Sequence, residues 1–137
     1  MTTTAPTTVD VRSDDRSFVL IVDDEEGVRE SLRDVVEMVR CSAFLAASAE
    51  EGLALLVDRR PCLVVLDLLL PGMSGTEMLE SMRRNPALAG MPILISTSAP
   101  ERAPRNVPVL AKPIDIDALC GWMRRSCHCG ARSGAEV

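Results

Sequence analysis

Tyrosine is absent from this chain, and its only aromatics are Phe18, Phe44 and Trp122. A core for 137 residues must therefore be filled with Leu, Val, Ile, Met and Ala. Nowhere does an apolar run approach the ~18 residues that a membrane span requires, so no membrane association is expected. A stripe of Lys and Arg is missing as well. The 15 basic residues are outnumbered by 20 acidic ones, for a net charge of −5, and the pair Arg124-Arg125 is too small a cluster to alter that. Such a balance argues against nucleic acid as a partner. The first seventeen residues contain nothing like the apolar core of a secretory signal. The five cysteines are thus expected in a reducing, cytoplasmic compartment, with Cys41 and Cys62 acting as small core residues beside apolar runs.

What is present amounts to one domain, since a chain of this length buries about two-thirds of the surface its unfolded form exposes. Residues 1–16 are rich in Thr, Pro and Asp without periodicity and read as a disordered tail, and residues 128–137 read the same way. Between them lies a domain over 17–127 with no internal repeat. Strands are expected at Ser17–Val22, Ser42–Ala46, Cys62–Leu66, Met91–Ser96 and Val107–Ala111. Helices are expected at Glu25–Arg40, Ala49–Arg60, Ser74–Arg84 and Ile116–Cys127. In the first helix, Val28, Leu32, Val35, Val36 and Val39 share one face at 3.6-residue spacing. Ser48-x-x-Glu51 and Ser74-x-x-Glu77 have the form of capping boxes, and Pro61 closes the second helix.

Unbroken apolar strands alternating with helices indicate an α/β fold, a doubly wound parallel sheet covered on both faces. One crossover departs from this pattern. The nine residues Ser98–Asn106 include Pro100 and Pro104, so a regular helix between the fourth and fifth strands is not expected.

Ligands of such sheets bind beyond the carboxyl ends of the strands. Those ends carry Asp23-Asp24, Asp67, Ser96-Thr97-Ser98 and Lys112-Pro113. Clustered carboxylates repel one another unless a cation neutralises them, and an all-oxygen set suits Mg²⁺. A carboxylate, a divalent ion, a lysine and a hydroxyl together make a phosphoryl-transfer site, with the carboxylate as nucleophile. Taken singly the same residues have ordinary explanations: carboxylates at a helix N-terminus, a strand-end turn, a solvated lysine. It is their register on one rim that favours chemistry.

The segments FVLIVDDEEGVRESL, CLVVLDLLLPGMSGTEML, MPILISTSAP and VPVLAKPIDIDAL occur in this order over roughly residues 17–127, with 43 positions from Asp24 to Asp67. In these the chain resembles the receiver domain of two-component response regulators, of the stand-alone single-domain type. The resemblance implies a flavodoxin-like five-stranded sheet of order 2-1-3-4-5. It implies Asp67 as phosphoacceptor, Asp24 as direct Mg²⁺ ligand, Asp23 acting mostly through water, and the backbone carbonyl of Leu69 as a further ligand. Thr97 would be the switch hydroxyl, Lys112 the phosphate-pairing lysine, and Lys112-Pro113 a cis peptide. Pro71 and Gly75 match the loop after the acceptor. The expected partners are a histidine kinase or histidine phosphotransfer protein and a downstream protein.

Two features depart from the family: the shortened segment after the fourth strand, and Val109 where an aromatic residue is usual. Both touch the output surface. Because the usual dimer face includes the missing helix, a monomer is expected, or a dimer through another surface. The protein is expected to be a signalling module, not an enzyme. A haloacid-dehalogenase-like phosphatase would need a second Asp two positions after the nucleophile, where Leu69 stands. A scaffold that works without phosphorylation would have no need of the Asp24, Asp67, Thr97 and Lys112 set. The cluster Cys127-His128-Cys129 with Cys120 fits no common zinc spacing. Met38, Met78, Met82 and Met123 are expected in the core, and Trp122 as a partly buried anchor of the last helix.

Overall fold

A computed structural model describes residues 18–127. The tails expected at 1–16 and 128–137, Ser17, and the His128-Cys129 part of the zinc reading lie outside these residues. Five parallel strands form one sheet: β1 Phe18–Val22, β2 Ser42–Ala46, β3 Leu63–Leu66, β4 Ile93–Thr97 and β5 Val109–Ala111. Their order is β2-β1-β3-β4-β5, as expected. Four helices connect or follow them: α1 Glu26–Met38, α2 Ala49–Leu55, α3 Gly75–Arg84 and α4 Ile116–Ser126. Between β4 and β5 the chain makes only a 3-10 turn, Pro100–Arg102, as the two prolines require.

Alternation along the strands divides the core in two. Phe18, Leu20 and Val22 of β1 face α2 and α3 with Val64, Leu66, Met78, Leu79 and Met82. Val19 and Ile21 face α1 and α4 with Leu32, Val36, Leu63, Leu94, Leu119 and Met123. β1 is buried along its whole length, which is why it reads as an unbroken apolar run.

Helix ends differ from expectation for local reasons. α1 stops at Met38 because Arg40 turns left-handed (φ 69°). There Cys41 N–H donates to Val36 O and Arg40 N–H to Glu37 O, a Schellman closure. Met38 lies off the apolar stripe and is 70% exposed, so it is not a core residue. α2 ends at Leu55, after which Leu56 N–H is shared between Gly52 O and Leu53 O and the last turn tightens. Only one capping box is reciprocal. Ser74 Oγ accepts from Glu77 N–H while Glu77 Oε1 accepts from Ser74 N–H. At the start of α2, Ser48 Oγ accepts from Glu51 N–H, but Glu51 Oε1 reaches back to Ala47 N–H.

The cysteines overturn the expectation of free core thiols. Cys62, just before β3, is bonded to Cys127 at the end of α4, with Cα atoms 5.0 Å apart. Cys41 is also disulfide-bonded, and Cys120 is a free thiol. The Cys62–Cys127 bond spans 65 residues. A loop of that length is worth about 4 kcal/mol on the chain-entropy account.

Candidate functional site at the carboxyl rim of the sheet

The site is built by the last rungs of the sheet ladder. Asp23 N–H donates to Ala46 O, Asp67 N–H to Val22 O, and Lys112 N–H to Thr97 O. Each functional side chain thus springs from backbone fixed by the neighbouring strand. The expected residues Asp23, Asp24, Asp67 and Lys112 come together. Asp23, Asp24 and Asp67 each offer a carboxylate oxygen, and these oxygens lie within 4.8 Å of one another. Asp23 and Asp67 are buried, whereas Asp24 faces solvent.

Lys112 Nζ donates to Asp23 Oδ2 at 2.7 Å and to Asp67 Oδ2 at 3.3 Å. The other oxygens of these two carboxylates are also engaged. Asp23 Oδ1 accepts from Glu25 N–H at 3.0 Å, and Asp67 Oδ1 from Leu69 N–H at 3.1 Å. The Lys112-Pro113 peptide is cis, as the resemblance implied.

Burial raises the pKa of the Asp67 carboxyl. The Leu69 N–H and the Lys112 charge oppose this, and nearby Asp23 adds to it. For Lys112, burial acts downward, but the hydrogen bonds and charges of Asp23 and Asp67 outweigh it, and its pKa is raised. The ammonium therefore stays charged where an incoming anion would need it.

Thr97 is fully buried at the end of β4, and its Oγ1 accepts from Ala99 N–H at 3.0 Å. That bond uses a lone pair and leaves the hydroxyl proton available. Ser96, its neighbour on the opposite face of the strand, has a buried Oγ without a hydrogen-bond partner. Leu69 is 43% exposed beside the acceptor. Val109 packs at the margin of the core on the α2 and α3 face.

Two residues that shape the site escaped the sequence reading. Glu25 places Oε1 3.7 Å from Lys112 Nζ. Arg29, one turn into α1, donates from Nη1 to the backbone carbonyl of Asp23 at 2.7 Å. The available signal was a basic residue following an acidic run at the head of a helix.

Three carboxylate oxygens, with no sulfur or imidazole among them, make a hard donor set, which fits Mg²⁺. Both oxygens of Asp23 and both of Asp67 are engaged, whereas the Asp24 side chain faces solvent.

Comparison with known proteins agrees with this geometry. The model of the response regulator receiver domain matches residues 19–122. Response regulator MprA of a Mycobacterium species (strain KMS) is 33% identical over 113 residues, 77% of this chain and 48% of that protein. The sporulation initiation phosphotransferase F of Bacillus subtilis is 40% identical over 65 residues, 47% of this chain and 52% of its own length. The chain spans about half the length of these relatives, and 36% of the phosphate regulon regulator PhoB of Pseudomonas aeruginosa. Among solved structures, a response regulator receiver protein from Pseudomonas putida superposes with a TM-score of 0.72 at 25% identity, covering 80% of this chain and 97% of that one. Chemotaxis protein CheY4 of Vibrio cholerae shares the fold with a TM-score of 0.71 at 24% identity, over 81% of this chain and 98% of its own. The family match takes in the whole acidic rim and Lys112, and on that ground the chain belongs to the response regulator receiver domain family.

Proposed function

We propose that this receiver domain takes a phosphoryl group onto Asp67 from a phosphohistidine of a kinase or phosphotransfer protein, and then binds a downstream partner or passes the group on. The observation that carries this reading is Lys112 Nζ bridging Asp23 and Asp67 inside a cluster of three carboxylates. In the transfer, an Asp67 oxygen forms the new P–O bond as the P–N bond to the donor imidazole breaks. Lys112 turns from the carboxylates to a phosphoryl oxygen, and Thr97 donates its free hydroxyl proton to another. The metal ligands in this reading are Asp24, Asp67 and the Leu69 carbonyl, with Asp23 acting through water. A bound Mg²⁺ supplies positive charge to the transferring group. An apolar groove of about 720 Å³ between α1 and the residues after β5, lined by Val28, Leu32, Ile114 and Ile116, borders Lys112. It gives a donor protein a surface to seat against.

The test is intact mass after incubation with acetyl phosphate and Mg²⁺. One added phosphoryl group is expected, and no gain in mass would favour a phosphorylation-independent scaffold. The metal is tested in the same assay. Excess chelator, or Asp24→Ala with an unchanged circular dichroism spectrum, should slow labelling by roughly 10²–10³-fold. Full labelling without divalent ion would remove the metal from the reading.

The phosphorylated form should also be long-lived. Hydrolysis needs a water in line with the P–O bond, and the residues flanking that approach are Leu69 and Ala99. Neither side chain can orient a water, so most of the advantage of positioning is lost. After donor removal the wild type should decay over minutes or longer, and Leu69→Asn should speed decay about tenfold. Decay of the wild type within seconds, or an unchanged rate in the variant, would contradict this.

A further inference from the structure

Among the described residues one buried side-chain oxygen, Ser96 Oγ, has no hydrogen-bond partner. The residue is 1% exposed, and an unpaired hydroxyl at such a depth is a cost to the fold that alanine would not carry. Its place in the sheet gives it a use. Leu66 of β3 pairs with Ile95 of β4, so the next rung sets Asp67 beside Ser96. Val65 and Leu94, two residues earlier, both belong to the core that faces α1 and α4. By alternation Asp67 and Ser96 stand off that same face. Neighbouring strands lie about 4.8 Å apart, which puts the hydroxyl within a side-chain rotation of the acceptor carboxyl. Lys112 shares this face, for it lines the groove with Val28 and Leu32 of α1. From the end of β5 its Nζ reaches Asp67 after β3 and Asp23 after β1. In this strand order that reach crosses β4, and Ser96 is the last residue of β4 on the face it crosses.

We propose that Ser96 is a positioning residue for transfer to Asp67: as Lys112 leaves for the incoming phosphoryl group, the Ser96 hydroxyl donates to the Asp67 oxygen that becomes the acyl carbonyl. The inference rests on Asp67 being the phosphoacceptor. Before transfer the Asp67 carboxylate is held by Lys112 Nζ at 3.3 Å and by Leu69 N–H at 3.1 Å. Departure of Lys112 removes one of these two donors from a buried group. Thr97 stands on the other face of β4, and its proton goes to the phosphoryl group. Ser96 carries the free proton on the Asp67 face. The hydroxyl is thus unpaired before the reaction and paired after it, so its hydrogen bond favours the transition state and product over the resting protein. Ser96 keeps its proton throughout. The only bonds exchanged are the P–O bond formed at Asp67 and the P–N bond broken in the donor.

The test compares the full chain as wild type, Ser96→Ala and Ser96→Thr. Unphosphorylated Ser96→Ala should melt at the wild-type temperature or above it, because it loses only an unpaired hydroxyl. With acetyl phosphate and Mg²⁺, its labelling rate at saturating donor should fall about tenfold, the worth of one hydrogen bond to a reacting group, while the half-saturating donor concentration stays unchanged. Ser96→Thr keeps the hydroxyl and should recover most of the rate. In the phosphorylated proteins the infrared stretch of the acyl carbonyl should lie at higher wavenumber in Ser96→Ala than in wild type. That reading decides alone if the added methyl of Ser96→Thr prevents folding. An unchanged rate and an unchanged carbonyl stretch in Ser96→Ala would overturn the proposal. So would a lower melting temperature of the unphosphorylated variant, which would show that the hydroxyl is already paired at rest. Failure of the acceptor assignment itself has a different signature: Asp67→Asn would then still be labelled, whatever stands at position 96.

Discussion

Asp67→Asn should reduce phosphoryl incorporation from acetyl phosphate to below about 1% of wild type, because a carboxamide cannot act as the nucleophile. The substitution keeps the shape of the side chain, and Lys112 retains Asp23 Oδ2 at 2.7 Å. The fold should therefore survive. The direction of the Asp67 pKa gives a further check. Burial holds it above the ordinary 3.8, so the charged form is disfavoured in the folded protein. This cost is absent below pH 3.8 and develops as the pH rises through the folded pKa. Removing the charge should then leave the thermal midpoint at neutral pH unchanged or higher. A variant that is stable yet unlabelled locates the defect in the chemistry. Undiminished labelling would move the acceptor to Asp23 or Asp24 and sink the assignment.

Gly75→Ala is the substitution expected to damage both fold and site. A Cβ on Gly75 would lie 2.1 Å from Asp67 O and 2.6 Å from Leu68 Cα. Both neighbours are backbone, so neither can turn aside as the tip of a side chain would. Gly75 N–H also donates to Leu68 O at 3.0 Å, which pins the head of α3 against the acceptor strand. Relief requires α3 and the acceptor to separate by about 1 Å. Overpacking of this kind costs about 3 kcal/mol, and a 1 Å misplacement of a reacting group costs roughly 10²-fold in rate. Urea unfolding and acetyl phosphate labelling should both register the change. Gly121→Ala is the control. Its nearest neighbours are the tips of Arg124 and Arg125 at 3.9 Å, and helix propensity should make it stabilising by up to ~1 kcal/mol. Equal behaviour of the two variants would refute the account.

The parts of this fold legible in the sequence are those set by short-range pattern. β1 and β3 are buried on both faces, so FVLIV and LVVL carry no polar interruption. Once the strands are placed, the rule for carboxyl ends puts Asp23, Asp67 and Lys112 on one rim without further information. The doublet of prolines announces the missing helix after β4 just as directly. The cysteine pairing was not legible, because it depends on where the start of β3 meets the end of α4, and spacing alone cannot select one pairing among five cysteines. Arg40 illustrates a different limit. A left-handed residue that is not glycine ends α1 with no compositional mark. The roles of Glu25 and Arg29 appear only when α1 is folded back over the loop that follows β1.

The scarcity of aromatics decides what light can report. With no tyrosine in the chain, excitation at the red edge of the near ultraviolet reaches Trp122 alone. Its indole sits midway along α4 with the Arg125 guanidinium 4.3 Å from the ring centroid. The phenylalanines Phe18 and Phe44, whose rings are 4.6 Å apart, are dark under the same excitation. Emission is therefore a single-point gauge of α4 and the cation stacked on it. Changes at the acidic rim are invisible to it unless they travel to that helix, so a shift in intensity on adding acetyl phosphate would time the arrival of the signal at α4, while a mass spectrum times the chemistry.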